Sequence, residues 1–293
     1  MKNSVVALCC ICLLTLANKA TAGMSKNVID SLNHYGQLIT NADNDSDRVH
    51  ANANFYKLLQ LTLQQQQQQL NTPLKDSVAI LSQLLSTDGK LAVYTWAVPF
   101  TDDTYRYYGF VHVVEKKKMA VHKLSDKSDE ITSIENAQLN NLRWWGCVYY
   151  KMVEKQSKGV TYYTLLGWDG NDGTSNKKVI EPMSIGSNGL LKFGASIFYY
   201  PKDKLTKRRV VFEYNDQAVM TLRYEPLRNQ IVFDGLSPSE ERFKGNYAFY
   251  GPDMSFDAFE FKNGKWQYTP QIDILKDDRF YDPNNNKPLP RSK

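Results

Sequence analysis

The stretch that decides the fold covers residues 143–183 and reads RWWGCVYYKMVEKQSKGVTYYTLLGWDGNDGTSNKKVIEPM. Within it, residues 144–153 and 160–168 are mostly apolar, aromatic or β-branched, and these types favour a pleated sheet. Two polar segments that contain glycine interrupt it, KQSKG at 155–159 and DGNDGTSN at 169–176. Such segments are typical of hairpin loops. The stretch therefore predicts three long antiparallel strands joined by two turns.

The first of these strands is apolar on both faces. Strict alternation puts Trp144, Val148, Tyr150 and Met152 on one face, and Trp145, Cys147, Tyr149 and Val153 on the other. A sheet with one face in water fits this pattern poorly. We therefore expect other parts of the chain to cover each face.

Residues 24–86 have helical spacing instead. Apolar residues recur every three or four positions in three groups, which are Val28, Ile29, Leu32, Tyr35 and Ile39; Phe55, Leu58, Leu59 and Leu63; and Leu74, Val78, Leu81 and Leu85. This spacing predicts three amphipathic helices. We expect them to pack against the sheet, because the central strands need cover.

From Lys90 onward the period changes to two, and short β-patterned runs follow one another without intervening helical patterns. The predicted fold is α+β, with N-terminal helices packed on a predominantly antiparallel β-meander that is sandwich-like or barrel-like. An incomplete propeller is the alternative, which the absence of a clean internal repeat weakens. We divide the chain into a signal peptide (1–22), a helical segment (23–88), an antiparallel β domain (89–275) and a flexible C-terminal tail (276–293).

The strand register of two hairpins can be predicted from their side chains. The pair Asn263-Gly264 favours a two-residue turn that sets Phe261 opposite Trp266. A three-residue loop at 215–217 sets Phe212 opposite Met220, and this register matches apolar faces better than a two-residue loop does.

The N-terminus predicts export. Lys2 precedes an apolar run at residues 5–17, and Ala20-Thr21-Ala22 has the small-x-small pattern of a signal-peptidase site. A lipoprotein signal is the rival interpretation, since cysteines lie in the apolar run, but Leu8 is bulkier than the residue that usually precedes a lipidated cysteine. We expect a periplasmic or cell-envelope location, and no further membrane span, because no other apolar run is long enough.

Net charge argues against a nucleic-acid-binding protein, and cysteine content argues against a disulfide-stabilised one. Cleavage after residue 22 removes Lys2 and Lys19, which lowers the formal net charge from +5 to +3. So small an excess of positive charge does not predict a nucleic-acid partner. Cleavage also leaves Cys147 as the single cysteine, so the mature chain forms no internal disulfide. In an apolar strand such a thiol is usually a small buried hydrophobe.

Five segments together resemble a family of exported proteins from Bacteroidetes-type bacteria. They read STDGKLAVYTWAVP (86–99), YTLLGWDGNDGTSNKKVIEPM (163–183), VVFEYNDQAVMTLRYEP (210–226), IVFDGLSP (231–238) and YGPDMSFDAFEFKNGKW (250–266). The likeness covers about residues 50–270. It implies export and one continuous structural unit, and it implies no catalytic residue.

Two sets of polar residues are candidate sites. Asp169, Asn171 and Asp172, with Ser175, offer oxygen ligands at close spacing, as calcium loops do. An EF-hand loop counted from Asp169 needs glycine at its sixth position and glutamate at its twelfth; Thr174 and Ile180 stand there. We therefore interpret the segment as an Asx and glycine turn and expect no metal and no other cofactor.

The aspartates Asp234, Asp253 and Asp257 are the candidate catalytic residues, because a pair of carboxylates can serve acid/base hydrolysis. Loop aspartates more often bond to their own backbone. His112 and His122 lie on neighbouring predicted strands and could meet, but no metal-ligand spacing joins the histidines.

No nucleophile elbow, phosphate loop or dinucleotide fingerprint marks an enzyme. The sequence therefore favours a non-enzymatic binding or envelope-associated module with a protein or glycan partner. The alternative is a hydrolase of glycans or esters that uses the loop aspartates. The sequence leaves the oligomeric state open.

Overall fold

A computed structural model describes residues 25–65, 70, 74, 77–115, 118–274, 281–282 and 287–288. The helices are α1 (Lys26–Asn41) and α2 (Asp45–Gln65). The strands are β1 (Ser82–Leu85), β2 (Leu91–Pro99), β3 (Tyr105–Glu115), β4 (Lys118–Ser125), β5 (Val148–Ser157), β6 (Val160–Asp172), β7 (Ser175–Ile185), β8 (Leu191–Phe193), β9 (Phe198–Tyr200), β10 (Leu205–Lys207), β11 (Val210–Asn215), β12 (Leu222–Glu225), β13 (Gln230–Pro238), β14 (Tyr250–Lys262), β15 (Lys265–Thr269), β16 (Tyr281–Asp282) and β17 (Lys287–Pro288). Short 3-10 helices occur at Ser128–Glu130, Glu241–Phe243 and Tyr247–Phe249.

The strands form three stacked sheets and one small C-terminal pair. The first sheet has the order β1-β2-β3-β4, the central sheet has the order β11-β7-β6-β5 with β8 also on β7, and the third sheet has the order β10-β9-β15-β14-β13-β12. Pairing is antiparallel except between β9 and β15, which run parallel. Each of these sheets has two edge strands and is therefore open. The predicted α+β fold with a sandwich of antiparallel sheets is confirmed, and none of these sheets closes into a barrel.

Three apolar cores separate four layers. One lies between the helices and the first sheet, one between the first and central sheets, and one between the central and third sheets. The central sheet is therefore covered on both faces, as the apolar residues of its strands predicted. Leu165 packs on one side and Leu166 on the other, and both are fully buried. Covering both faces removes each of these side chains from water, which stabilises the fold by about 1.5–3 kcal/mol per side chain.

The first central strand departs from strict alternation. It begins at Val148, so Trp144, Trp145 and Cys147 precede it, and a bulge lies between Tyr149 and Lys151. The bulge inserts an extra residue and reverses the faces that follow it. Tyr149 consequently packs toward the first sheet and Val153 toward the third. The prediction that these two residues share a face is wrong.

The helices cover the first sheet rather than the central strands. Leu32, Phe55 and Leu59 pack against the face of the first sheet that contains Tyr94 and Trp96. The prediction that the helices pack on the sheet is confirmed, but the central strands are covered by other sheets. Trp96 Nε1 also donates a hydrogen bond of 2.8 Å to Asn52 Oδ1 on α2, so a buried polar contact fixes this interface.

The third predicted helix is wrong over residues 82–85, which form β1. This strand pairs with residues 92–95 of β2, so the β region begins before the predicted boundary at residue 89. Pairing gives the edge of β2 the backbone partners that it would otherwise lack. Gln83 is buried in β1, and its Oε1 accepts a hydrogen bond of 2.6 Å from the Leu74 N–H.

Of the two predicted hairpin registers, one is confirmed and the other is wrong. At Asn263-Gly264 the register sets Phe261 opposite Trp266, as predicted. Around residues 215–217, however, β11 pairs with β7 in the central sheet and β12 pairs with β13 in the third sheet. The chain crosses between two sheets here instead of making a hairpin, so Phe212 lies opposite Lys178 and not opposite Met220.

A buried ion pair joins Glu181 of β7, in the central sheet, to Arg209, which lies directly before β11. Glu181 and Arg209 have fully buried side chains, and Arg209 Nε donates a hydrogen bond of 2.6 Å to Glu181 Oε1. Tyr149 Oη donates to the other oxygen of Glu181, and it accepts a bond of 2.8 Å from Trp144 Nε1. Arg209 also donates to the carbonyl of Ile134. Removing one partner of such a pair leaves a buried charge unpaired and costs about 3–5 kcal/mol.

Both chain ends fall largely outside the described residues. The predicted signal peptide at 1–22 lies there entirely. Of the predicted flexible tail, only β16 and β17 are described, and they pair antiparallel with each other. Within the described ranges, no helix has the length and apolar character needed to cross a membrane.

Candidate functional site

A cleft of about 820 Å³ opens at one end of the first sheet. It lies between α2, the start of β3, the end of β4, the 3-10 turn Ser128–Glu130 and the end of β6. Its volume is within the range of about 300–1,000 Å³ that is typical of small-molecule sites. Four tyrosines line it, which are Tyr56, Tyr105, Tyr107 and Tyr108, and we call it the tyrosine cleft.

Alternation along β3 gives the tyrosine cleft two different walls. Tyr105 and Tyr107 point toward the central sheet and pack with its core. Tyr108 points the other way, against α2, and its ring stacks on Trp96 with centroids 5.8 Å apart. Arg106 shares the side of Tyr108 by the same alternation. The cleft therefore has a helix wall and a central-sheet wall.

Asp169 and Tyr107 form the polar floor of the central-sheet wall. Tyr107 Oη donates a hydrogen bond of 2.7 Å to Asp169 Oδ1 and accepts one of 2.8 Å from the Gly170 N–H. The Asn171 N–H also donates to Asp169 Oδ1, at 2.7 Å. Oδ2 of Asp169 has no hydrogen-bond partner among the described residues. The side chain is 6% exposed and lines the cleft, so a ligand can supply the missing donor.

Burial is the largest influence on the pKa values of Asp169 and Tyr107. It raises the pKa of the Asp169 carboxyl above its ordinary value, and the hydrogen bonds from Tyr107 and Asn171 offset this only in part. The charge of nearby Asp126 acts in the same direction as burial. Burial, followed by the adjacent Asp169 charge, also raises the pKa of Tyr107. Tyr107 therefore stays a neutral donor toward Asp169 at physiological pH.

Asp126 is held rigidly between the two walls. Its Oδ2 accepts from the Tyr107 N–H at 3.1 Å, and its Oδ1 accepts from the N–H and the hydroxyl of Ser128 at 3.1 and 2.6 Å. The backbone of Gly146 approaches so closely that a Cβ there would overlap the Asp126 carboxylate. Gly146, in the stretch that decides the fold, therefore also helps to position Asp126 in the cleft.

The candidate metal residues lie together at the end of β6, next to the turn, and apart from Asp169 Oδ2 their side-chain oxygens are already engaged. Asp172 Oδ1 accepts from the N–H groups of Thr174 and Ser175 at 2.9 and 3.0 Å, which is an Asx turn. Asn171 has φ 49°, and its Oδ1 accepts from Lys177 at 2.6 Å. In the part of the chain that the structure describes, no three His, Cys, Asp or Glu side chains lie close enough to hold a metal ion.

The candidate catalytic aspartates lie away from the tyrosine cleft. Asp234 accepts from the Thr221 N–H at 2.6 Å, and Asp257 accepts from Tyr268 Oη at 2.6 Å. Asp234 is opposite Phe256 and Asp257 is opposite Phe233, so their side chains point to opposite faces of the third sheet. The exposed Asp253 accepts from the Ser255 N–H and hydroxyl, and these bonds lower the pKa of its carboxyl. All three make the local or cross-strand bonds that are typical of turn aspartates.

His112 and Cys147 are fully buried, and His122 is partly buried. His112 is opposite Val121, on the helix side of the first sheet, whereas His122 is opposite Val111, on the other side. The suggestion that the two histidines meet is therefore wrong. Cys147 is fully buried, and burial raises the pKa of its thiol well above the ordinary value. Its interpretation as a small buried hydrophobe is confirmed.

The sequence interpretation missed the cleft residues Tyr105, Arg106, Tyr107, Tyr108 and Asp126. The first four were interpreted only as strand residues. The signal that could have found them is a run of tyrosines directly after the polar TDDT turn, at the exposed end of a strand. Asp126 carries no such signal, because its role depends on a loop that returns from the central sheet.

Comparison with protein-family models, with curated proteins and with solved structures finds no significant match to this chain. The resemblance to exported Bacteroidetes-type proteins stays a prediction.

Proposed function

We propose that this protein is an exported, non-enzymatic binding protein that takes a carbohydrate in the tyrosine cleft. The observation that carries the proposal is the lining of the cleft, which combines four tyrosines with carboxylate, amide and cationic side chains. A sugar ring has apolar C–H faces that stack on aromatic rings and hydroxyl groups that bond to carboxylates and amides. Both kinds of group are present within one concave site of suitable volume.

The polar groups of the cleft are fixed before any ligand arrives. Tyr107, Asp126 and Asp169 are held by hydrogen bonds to one another's segments, as described above. Groups that are already ordered lose little conformational entropy on binding, so more of the interaction energy appears as affinity. A preorganised site of this kind favours specific recognition over general surface adhesion.

Export is part of the same proposal. The leader-like features at Lys2 and at Ala20-Thr21-Ala22, together with the resemblance to exported proteins, support a periplasmic or cell-envelope location. N-terminal sequencing of the protein recovered from the cell envelope tests this part. We expect a mature chain that begins at Gly23, and a chain that retains Met1 and Lys2 would contradict export by cleavage.

Titration of the mature protein with a panel of neutral and acidic oligosaccharides, followed by calorimetry, tests the binding function. Loss of the Tyr108 ring in Tyr108→Ala should weaken binding about tenfold, because an aromatic platform contributes about 0.5–1.5 kcal/mol beyond its buried area. Tyr247→Ala is the matched control, since Tyr247 is 43% exposed and lies outside the cleft. Thermal melts of both variants check folding. Equal affinity for Tyr108→Ala and wild type would place the ligand elsewhere.

A second candidate function is hydrolysis of the bound saccharide, and one observation favours it. Asp169, with its raised pKa, and Asp126 line the same cleft. Two carboxyls in one cleft, one of them with a raised pKa, can supply the acid and the base that glycoside hydrolysis uses. In this scheme Asp169 gives its proton to the leaving oxygen, and Asp126 takes a proton from the attacking water. Release of reducing ends by wild type that is lost in Asp169→Asn, with binding retained, would favour the enzyme.

A further inference from the structure

The charged side chains of the tyrosine cleft are segregated by sign. The cations Arg106 and Lys123 lie on the helix wall, whereas Asp126 and Asp169 lie toward the central sheet. The 3-10 turn between the two walls adds Lys127, which is paired with Glu130 at 2.6 Å, and the exposed Asp129, so the lining has three basic and four acidic side chains. The cleft therefore presents one basic wall and one acidic wall to the same ligand.

Neither cation of the helix wall forms a salt bridge with a described residue, although the charge of Arg106 acts on the nearby Asp102 carboxylate. Within the described residues, Arg106 and Lys123 form no salt bridge and donate no side-chain hydrogen bond. Each lies over an aromatic ring instead, with the Arg106 guanidinium 4.8 Å from the Phe100 centroid and Lys123 Nζ 5.7 Å from the Tyr56 centroid. Their full hydrogen-bonding capacity is available to a ligand, and a guanidinium suits a carboxylate or a sulfate.

A tyrosine lies between these two cations. Lys123 is opposite Phe110 in the register of β3 and β4, so Arg106, Tyr108 and the Phe110–Lys123 pair follow one another on the same face. Four residues of strand separate the two cationic positions, which is about 13 Å at 3.3 Å per residue. Tyr108 is thus a stacking surface with an unpaired cation on each side.

From this arrangement we infer that the cleft selects acidic oligosaccharides. Two carboxylates or sulfates on the saccharide bind Arg106 and Lys123, one at each cation, the sugar ring between them stacks on Tyr108, and ring hydroxyls donate to Asp169 Oδ2. The inference rests on the proposed carbohydrate-binding function and names the chemistry of its ligand.

Matched probes test the inference. Tetragalacturonic acid and its methyl ester share the same rings and differ in the negative charge; chondroitin sulfate tetrasaccharide and its desulfated form separate sulfate from carboxylate. We expect removal of the recognised anion from one of these pairs to weaken binding about tenfold or more. The double variant Arg106→Gln, Lys123→Gln should abolish this ratio. Lys57→Gln, an exposed lysine of α2 outside the cleft, is the charge-matched control and should keep it.

The outcomes separate the two proposals. If neutral saccharides of the panel bind and neither acidic probe binds more tightly than its neutral or desulfated form, selection of acidic sugars is overturned and carbohydrate binding stands. A double variant that retains the wild-type ratio also overturns the inference, because the anion is then recognised elsewhere. If no saccharide of the panel binds, both proposals fail.

Discussion

Acid should weaken the contact between α2 and the first sheet through a single buried residue, His112. Its side chain is fully buried on the helix side of β3, opposite Val121 and beside the core that α1 and α2 cover. Neither ring nitrogen has a hydrogen-bond partner among the described residues. Burial lowers the pKa of His112 from 6.5 to about 4. The folded protein therefore keeps this imidazole neutral at physiological pH.

The sign of the pH effect follows from this lowered pKa. As the pH falls through 6.5, the unfolded chain takes up the proton and the folded chain does not, so protonation favours unfolding. Stability is complete above about pH 6.5 and falls until the pH reaches the folded value of about 4. At about 1.4 kcal/mol per pKa unit, the loss from this one group is at most about 3 kcal/mol.

The variant His112→Leu isolates this contribution. Urea denaturation at several pH values between 4 and 7.5 gives the free energy of unfolding of wild type and variant. The effects of other acidic groups are common to both proteins and cancel in the difference. We expect the variant to gain up to about 3 kcal/mol relative to wild type on going from pH 7.5 to pH 4. Hydrogen exchange of the α2 amides should report the same change locally.

Replacement of an exposed histidine is the matched control. His50 lies on the solvent side of α2, and His50→Leu makes the same substitution at an exposed position. We expect this variant to lack the gain that His112→Leu shows at low pH. The reasoning about His112 is refuted if the difference between wild type and His112→Leu stays constant within about 0.5 kcal/mol over the same range, which is the usual size of neutral surface effects.

Three further predictions follow from the packing. Arg209→Met should lower the free energy of unfolding, measured by urea denaturation, by about 3–5 kcal/mol, because it leaves the buried Glu181 carboxylate without a partner. Adding Glu181→Leu should restore most of this stability. A single variant that is no less stable than the double variant would contradict the buried pair. A chain that starts at Ser86 lacks both helices and β1 and uncovers one face of the first sheet, so it should melt earlier and be less soluble than the mature chain; equal stability would show that the helices are dispensable. Calcium at 1 mM should stabilise the protein by at most about 1.4 kcal/mol, because the turn at 169–176 has few free oxygens and a dissociation constant of about 10⁻⁴–10⁻³ M or weaker. A larger rise in melting temperature against EDTA that Asp169→Asn removes would reveal a metal site.

Local chemistry determined those parts of the fold that the sequence predicted. The turn at Asn263-Gly264 and the alternation on each side of it fix the pairing of Phe261 with Trp266, because turn type and side-chain period act over a few residues. The two apolar faces of residues 148–157 and 160–172 required cover on both sides for the same local reason. The helical spacing of residues 26–41 and 45–65 likewise predicted α1 and α2.

Only the tertiary structure decided which partner each strand meets. Residues 82–85 have helical spacing, yet they form β1, because the open edge of β2 supplies backbone partners. β11 and β12 are neighbours in sequence, but they lie in different sheets, because β11 pairs with the distant β7 whereas β12 pairs with β13, the next strand. Hydrophobic pattern and strand propensity depend on residues close in sequence, so they do not predict pairing with a distant strand. Tertiary context overrides them.

The candidate site depends on the tertiary structure even more strongly. Tyr107 comes from the start of β3, Asp126 from the loop after β4 and Asp169 from the end of β6, and none of them carries a motif. They meet because the first sheet stacks on the central sheet and the segment before β5 returns to hold Asp126. The sequence by itself determined the strands, the helices and the need for covered faces, because those depend on short-range geometry. The cleft exists only where sheet stacking brings three distant segments together, and side-chain spacing along the chain does not encode that distance.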